Sequence, residues 1–190
     1  MRGKQWIDSF MKSLNELEDQ SNTKSDGEWT KFMAKVMKAM EKKTNWRVIS
    51  RDSEERRDSG EYLNIDAMFL DKSAYPSNWN IGDWDPYILP SAVVEHENDY
   101  GFEKIAYCLW KIVCIRAEVR VLICYQNNKE KIDSLTKYLE KTVKKSKLME
   151  KVQGELFVII GNDEEKKSSW KKYFKIFEWR IGSLESLSVP

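Results

Sequence analysis

The residues best suited to chemistry are Glu95, His96 and Glu97, which follow directly on a run of small and β-branched residues at 91–94. Such a run predicts a buried strand, and a buried strand seldom ends in two carboxylates and a histidine. Because side chains alternate along a strand, Glu95 and Glu97 project to one side and His96 to the other. Two carboxylates held this close repel each other unless a cation lies between them or one keeps a proton. The spacing predicts a site for a divalent metal ion.

Asp66 is a further acid in an apolar setting. It lies in the middle of a predicted strand, residues 62–70, that is otherwise mostly apolar. Carboxylate oxygens suit Mg²⁺, a hard cation that takes some of its ligands from protein acids and keeps several waters. Asp66, Glu95 and Glu97 would supply such ligands from adjacent strands.

The elements that position these acids follow from the spacing of apolar residues. Amphipathic helices are predicted at 1–20 and 28–43, and two strands joined by a polar turn at 46–49 and 62–70. After a long connection, the strand at 91–97 leads into a helix that ends near residue 116, with Asn98 or Asp99 as its cap. The remaining elements are a strand, a lysine-rich helix, a strand and an edge strand, at 118–125, 129–148, 154–160 and 170–179. This order predicts an α/β fold in which a mixed central sheet carries helices on both faces.

The length and composition predict one globular domain. Of the 190 residues, 41% are hydrophobic and 33% are charged, which is typical of a chain that buries a core. We expect residues 1–27 to form an accessory helix and loop, and residues 28–190 to form a single domain. Because 32 Lys and Arg stand against 31 Asp and Glu, the net charge indicates no particular partner.

Several functional classes fit the sequence poorly. A single histidine argues against His-based zinc sites and against Ser-His-Asp or Cys-His catalysis. The chain has neither a Gly-x-Gly-x-x-Gly motif nor a Walker loop, which argues against dinucleotide and P-loop nucleotide binding. Three cysteines without Cys-x-x-Cys spacing predict reduced thiols in a cytoplasmic protein, and no apolar run is long enough to predict a membrane span.

An aspartate in the second strand, followed by a strand that ends in acid-x-acid and runs into a helix, resembles the PD-(D/E)XK superfamily of restriction-endonuclease-like nucleases. The resemblance covers about residues 28–125 and implies an αβββαβ core. It implies that Asp66, Glu95 and the backbone carbonyl of His96 bind Mg²⁺ or Mn²⁺. Glu97 stands where the family usually has a lysine that helps to activate the attacking water. A minority of restriction enzymes in the family have Glu at this position, where it takes part in metal or water binding.

Other residues extend or compete with this assignment. Lys104 or Lys111 could replace the missing lysine, since in some members of the family it lies on the helix that follows the motif. Glu41 or Glu28 could add a ligand, as the first helix of the fold sometimes does. Asp85 precedes Glu95 by ten residues, a spacing that also fits the first acid of the family. We prefer Asp66 because it lies within a strand pattern, whereas Asp85 lies in a Pro-rich loop.

The resemblance implies a metal-dependent nuclease that hydrolyses phosphodiester bonds, with DNA as the expected partner and a homodimer as one arrangement for cutting two strands. Trp79 and Trp84, in the long connection, could stack on bases or could cover the sheet as an aromatic plug. The histidine side chain, which faces away from the acids, is expected to be structural. The alternative function is a catalytically inactive module of the same fold that binds nucleic acid or a partner protein, an alternative favoured by Glu97 in place of lysine.

Overall fold

A seven-stranded mixed β-sheet runs through the computed structural model, which describes residues 3–50, 65–75, 88–165 and 169–188. The strands lie in the sheet in chain order: β1 (Trp46–Ser50), β2 (Ala67–Asp71), β3 (Ala92–His96), β4 (Val119–Gln126), β5 (Glu155–Asn162), β6 (Phe174–Arg180) and β7 (Ser183–Leu187). The three central strands, β3 to β5, are parallel, and every other neighbouring pair is antiparallel. The predicted mixed α/β class is confirmed.

Five helices cover the two faces of the sheet in the described residues: α1 (Gly3–Glu16), α2 (Asp26–Met40), α3 (Phe102–Val113), α4 (Lys129–Ser146) and the short α5 (Trp170–Tyr173). The connections from β3 through α3 to β4, and from β4 through α4 to β5, join parallel neighbours, so both helices lie on one face. The other face packs against α1, α2 and α5. Each face of the sheet therefore has its own apolar core.

The apolar stripes of the helices explain this packing. In α1, Trp6, Phe10 and Leu14 recur at helical spacing and are fully buried in the same core as α2. Helix α2 begins where Ser25 accepts a hydrogen bond from the backbone N–H of Glu28, which satisfies one of the donors left open at a helix start. No helix within the described ranges combines the length and the apolar character required to cross a bilayer.

The alternation along β3 decides where the acids lie. Ala92 and Val94 pack in the core on the α2 side, and Val93 packs in the core on the α3 side. Continuing this period of two, Glu95 emerges beneath α3 and His96 points toward α2. The predicted separation of the carboxylate and imidazole faces is confirmed.

Three local predictions were wrong. Helix α3 has Gly101 as its N-cap without a side-chain cap, because Asp99 instead accepts a hydrogen bond from the Gly101 amide in a preceding turn. Residues 170–179 comprise a short helix and then β6, and β6 is an interior strand because the polar β7 pairs along its outer side. Asp66 precedes β2, which begins at Ala67, rather than lying inside the strand.

Candidate functional site

Glu95, the penultimate residue of β3, is the most unusual acid in the described structure. It is only 2% exposed. Its Oε2 lies 2.7 Å from the Nζ of Lys111, which reaches down from α3. Its Oε1 is also buried, yet has no hydrogen-bond partner among the described residues. A buried carboxylate oxygen without a donor carries a desolvation cost, which is a common sign that something else occupies the position in the working protein.

Asp66, the residue before β2, lies opposite this carboxylate. The pairing of Ala67 with Val94 in antiparallel register brings the residue before β2 opposite Glu95. The Oδ2 of Asp66 accepts a hydrogen bond from the backbone N–H of His96 at 2.9 Å. The Asp66 side chain therefore accepts the hydrogen bond that a backbone carbonyl of a paired strand would accept here, and its negative charge lies beside the end of β3.

The pKa of Glu95 is raised to about 7. Burial is the main cause, since it penalises the charged form, and the negative charge of Asp66 acts in the same direction. The hydrogen bond and the positive charge of Lys111 oppose this rise, as does a hydrogen bond from Cys108. The carboxyl group thus changes its protonation near neutral pH, where a cation can compete with the proton.

Glu97 is held against the start of α3 by several contacts. Its Oε1 accepts a hydrogen bond from the Asp99 amide at 2.8 Å and lies 3.5 Å from the Nζ of Lys104. Its Oε2 accepts a weak hydrogen bond from the Sγ of Cys108 at 3.5 Å. Burial, the main cause, and the acids nearby raise the pKa of the Cys108 thiol to about 12, so it stays protonated as a donor. The two predicted lysines therefore serve different acids: Lys104 lies at Glu97 and Lys111 at Glu95.

His96 lies on the opposite face of β3 from the acids. Its imidazole is buried, and its Nε2 shares a hydrogen bond of 2.6 Å with the hydroxyl of Tyr125. Burial lowers the pKa of His96 to about 4, so the ring is neutral at physiological pH. The side chain is a satisfied structural group, and the part of His96 that faces the acids is its backbone.

The structure does not bring every predicted ligand to this place. Glu41 pairs with Lys38 at 2.7 Å and with Lys72 at 3.8 Å. Lys72 follows the end of β2 that is farthest from Asp66, and the six residue steps between them span about 20 Å of extended chain. The carboxylate of Glu28 accepts a hydrogen bond from the Lys24 amide at the start of α2.

The remaining predicted residues are Trp79, Trp84 and the competing acid Asp85, which lie outside the described residues. Within the described ranges, no group of three or more His, Cys, Asp or Glu is arranged to hold a metal ion. The metal site proposed from the sequence therefore rests on the Asp66 and Glu95 carboxylates and the backbone of His96, with Glu97 turned toward α3.

An exposed aromatic pair on α3, the helix that carries Lys104 and Lys111, was missed from the sequence. Tyr107 is 56% exposed and Trp110 is 47% exposed. Their rings lie 5.8 Å apart at an angle of 30° on the outer side of α3. Tyr107 falls between Lys104 and Lys111 at helical spacing. The signal was present, because both aromatics fall outside the buried stripe of the helix.

Comparisons with known proteins do not decide the function: no protein-family model, no curated protein and no solved structure matches the chain. What the site can do therefore follows from its geometry. Glu95 near the end of β3 lies opposite Asp66, the residue before the antiparallel β2; one buried oxygen of Glu95 lacks a donor, and the ammonium of Lys111 lies against its other oxygen. Carboxylate oxygens are ligands that hard divalent cations prefer, although in the described ranges no third side chain completes a metal-binding group here.

Proposed function

We propose that the chain is a metal-dependent nuclease that hydrolyses phosphodiester bonds in DNA. The observation that carries this proposal is the unpartnered, buried Oε1 of Glu95, which lies at a strand end opposite Asp66 and beside Lys111. The order of elements supports it as well. Helix α2, the antiparallel strands β1 to β3, helix α3 and the parallel β4 follow one another in the αβββαβ order of a restriction-endonuclease-like core.

The residues present fit a hard divalent cation. Asp66, Glu95 and the backbone carbonyl of His96 would hold Mg²⁺ or Mn²⁺, with Glu97 as a further ligand or as the group that orients water. All of these donors are oxygens, as Mg²⁺ and Mn²⁺ prefer. Such an ion, when bound, makes water more acidic and offsets negative charge on a phosphoryl oxygen.

Lys111 has a separate role in this proposal. Burial opposes its charge, but the hydrogen bond and the charge of Glu95 raise the pKa of Lys111 above its ordinary value, so it stays cationic. The ammonium orients the Glu95 carboxylate and lies where it can offset charge that develops on a phosphate. Lys104 stabilises Glu97 and Asp99 at the surface and is placed to meet a flanking phosphate.

The outer side of α3 suits a nucleic acid strand. The exposed rings of Tyr107 and Trp110 provide flat apolar surface on which bases can stack. The ammonium of Lys104, exposed on the same helix, supplies a charge for the backbone. Proteins that bind single-stranded nucleic acid without sequence preference use such a combination of exposed aromatic and cationic side chains.

Plasmid nicking in Mg²⁺ or Mn²⁺ tests the proposal. Wild type should nick the plasmid, and Glu95→Gln should reduce the rate by about 100-fold or more, because the variant keeps the shape but loses the charge that binds the cation. Glu103→Gln is the matched control, since Glu103 is an exposed acid on α3, and it should keep the wild-type rate. A folded wild type that leaves the plasmid intact with both ions contradicts the nuclease proposal.

A second candidate is a nucleic-acid-binding module of the same fold without catalysis. The observation in its favour is the direct contact between Lys111 and Glu95, because an internal cation already compensates the acid that a metal ion would need. The presence of Glu97 where the family usually has a lysine also favours a module without catalysis. DNA binding in EDTA, measured by fluorescence anisotropy, together with absent nicking would favour this module over the nuclease.

A further inference from the structure

A polar cavity lies on the α2 side of the same strand ends, across β3 from Glu95. Its volume is about 130 Å³. This is room for about four water molecules at roughly 30 Å³ each, more than one structural water needs. The walls come from the start of α2, the segment after β3, the strand β4, and the residues that follow β5. The cavity thus opens at the carboxyl ends of the parallel strands, where α/β proteins usually bind their ligands.

Asn98 supplies an unused acceptor in this cavity. Its Nδ2 donates a hydrogen bond of 2.7 Å to the hydroxyl of Thr30, which fixes the orientation of the amide. Its Oδ1 is buried and has no hydrogen-bond partner in the described part of the chain. Asn98 follows Glu95 by three residues, so the cavity and the acid site lie at the same end of β3.

Asp163 supplies a second acceptor. Its Oδ2 accepts a hydrogen bond of 2.5 Å from the hydroxyl of Tyr100, and its Oδ1 accepts one of 3.3 Å from the hydroxyl of Tyr173. A carboxylate can accept about four hydrogen bonds, so two such bonds leave capacity on the cavity side. Because burial and Asp163 itself raise the pKa of Tyr100 to about 12, its hydroxyl stays a donor to Asp163. The remaining hydrogen-bonding capacity of Asn98 and Asp163 is therefore that of acceptors.

Aromatic rings form the floor of the cavity. Trp29 lies edge to face against Tyr125, with ring centroids 6.0 Å apart, and against Tyr173, at 6.2 Å. The exposed Lys24 lies at the rim. A ligand that fits these walls is flat, donates hydrogen bonds to Asn98 and Asp163, and carries an anionic group near Lys24.

We propose that this cavity receives one unpaired nucleobase with an exocyclic amino group, from the strand whose phosphodiester lies at Glu95; this inference rests on the proposed nuclease function. The amino group of cytosine or adenine is a donor, whereas thymine and uracil present a carbonyl at that position. A carbonyl would leave Asn98 and Asp163 facing another acceptor. An extruded or single-stranded base, read by hydrogen bonds and stacking, is how enzymes recognise one base outside a duplex.

Binding of short, labelled oligodeoxycytidine and oligodeoxyuridine, measured by fluorescence anisotropy in EDTA, tests the inference. Cytosine carries an amino group at C4 and an acceptor at N3, whereas uracil carries a carbonyl at C4 and an N–H donor at N3, so the two bases are otherwise of the same size and shape. Wild type should bind the cytidine oligomer on the order of tenfold more tightly. Asn98→Leu should abolish this preference. Asn15→Leu, the same substitution at an exposed asparagine of α1 outside the cavity, should retain it.

The preference for cytidine over uridine is measured on wild type itself, so the test remains valid even if Asn98→Leu fails to fold. Equal binding of the two oligomers by wild type overturns the base pocket, even if plasmid nicking succeeds. A cytidine preference without nicking supports the pocket and refutes the nuclease. Absence of any oligonucleotide binding overturns the pocket, whereas the nicking assay still decides on the nuclease separately.

Discussion

Replacing Lys111 by Met tests the central contact of the site without reference to function. The ammonium of Lys111 lies 2.7 Å from a carboxylate whose side chain is 3% exposed, while the lysine side chain itself is 19% exposed. Met keeps most of the aliphatic stem but removes the charge. Glu95 is then left buried beside Asp66 without its cation, so it either keeps its charge at a desolvation cost or takes up a proton, and in both cases the folded state becomes less stable at pH 8.

The magnitude follows from burial. Breaking a fully buried ion pair by removing one partner costs about 3–5 kcal/mol. Since Lys111 is partly exposed, solvent screens part of the interaction, and we expect Lys111→Met to lower the free energy of unfolding by about 2–3 kcal/mol at pH 8. In a Glu95→Gln background no charge is stranded, so the same change should cost less than about 1 kcal/mol. The resulting coupling energy is about 2 kcal/mol.

Urea denaturation of wild type, both single variants and the double variant measures this coupling, with EDTA present so that no metal contributes. Lys104→Met is the matched control, because the lysine is 57% exposed and its removal should cost less than about 0.5 kcal/mol. The coupling should also shrink below pH 7, since Glu95 has a pKa raised to about 7 and takes up a proton there. A coupling below about 0.5 kcal/mol at pH 8 would refute the contact as an energetic pair.

Three further perturbations test other parts of the structure. An NMR titration of His96, the single imidazole, should give a pKa of about 4. Because this folded pKa lies below the unfolded value of 6.5, the stability that neutral His96 contributes is lost as the pH falls from 6.5 toward 4. A measured pKa of 6 or more would contradict the burial of the ring. Gly154→Ala should lower the free energy of unfolding, measured with urea, by at least about 2 kcal/mol, because φ is +104° and a Cβ would lie 2.4 Å from the carbonyl oxygen of Glu118. Gly27→Ala in α2 is the control: nothing lies within 4 Å of its Cβ, and it should raise the free energy of unfolding by about 0.5 kcal/mol. Arg120→Lys should lower the free energy of unfolding by about 2 kcal/mol, because lysine cannot reproduce the three hydrogen bonds that the buried guanidinium donates to backbone carbonyls. An unchanged urea midpoint would show that these hydrogen bonds contribute little to stability.

The local pattern of the sequence determined the elements and the faces of the chain. Helix α4 begins at Lys129, as predicted, because Asn128 caps it and its apolar residues recur at helical spacing. The alternation in β3 placed Glu95 and His96 on opposite faces before any tertiary contact was known. These predictions succeeded because hydrogen bonding within a helix and the period of a strand depend only on residues close in sequence.

Contacts between distant residues were decided by the tertiary structure alone. Helical spacing made Lys104 and Lys111 equivalent candidates, but the packing of α3 on the sheet placed one at Glu97 and the other at Glu95. Glu41 had the right chemistry, yet α2 ends at the far end of β2 and carries it away. Strand β7 was missed because pairing with β6, rather than an apolar pattern of its own, makes it a strand.

For the candidate site, too, some features follow from the sequence alone and others only from the tertiary structure. The sequence determined that two acids and a histidine end a buried strand, because types and spacing are local properties. The register of β2 against β3 decided that Asp66 meets the backbone of His96, and the approach of α2 decided that Asn98 orients toward a cavity. Register and helix packing depend on how the whole core fills space, and no short stretch of sequence contains that information.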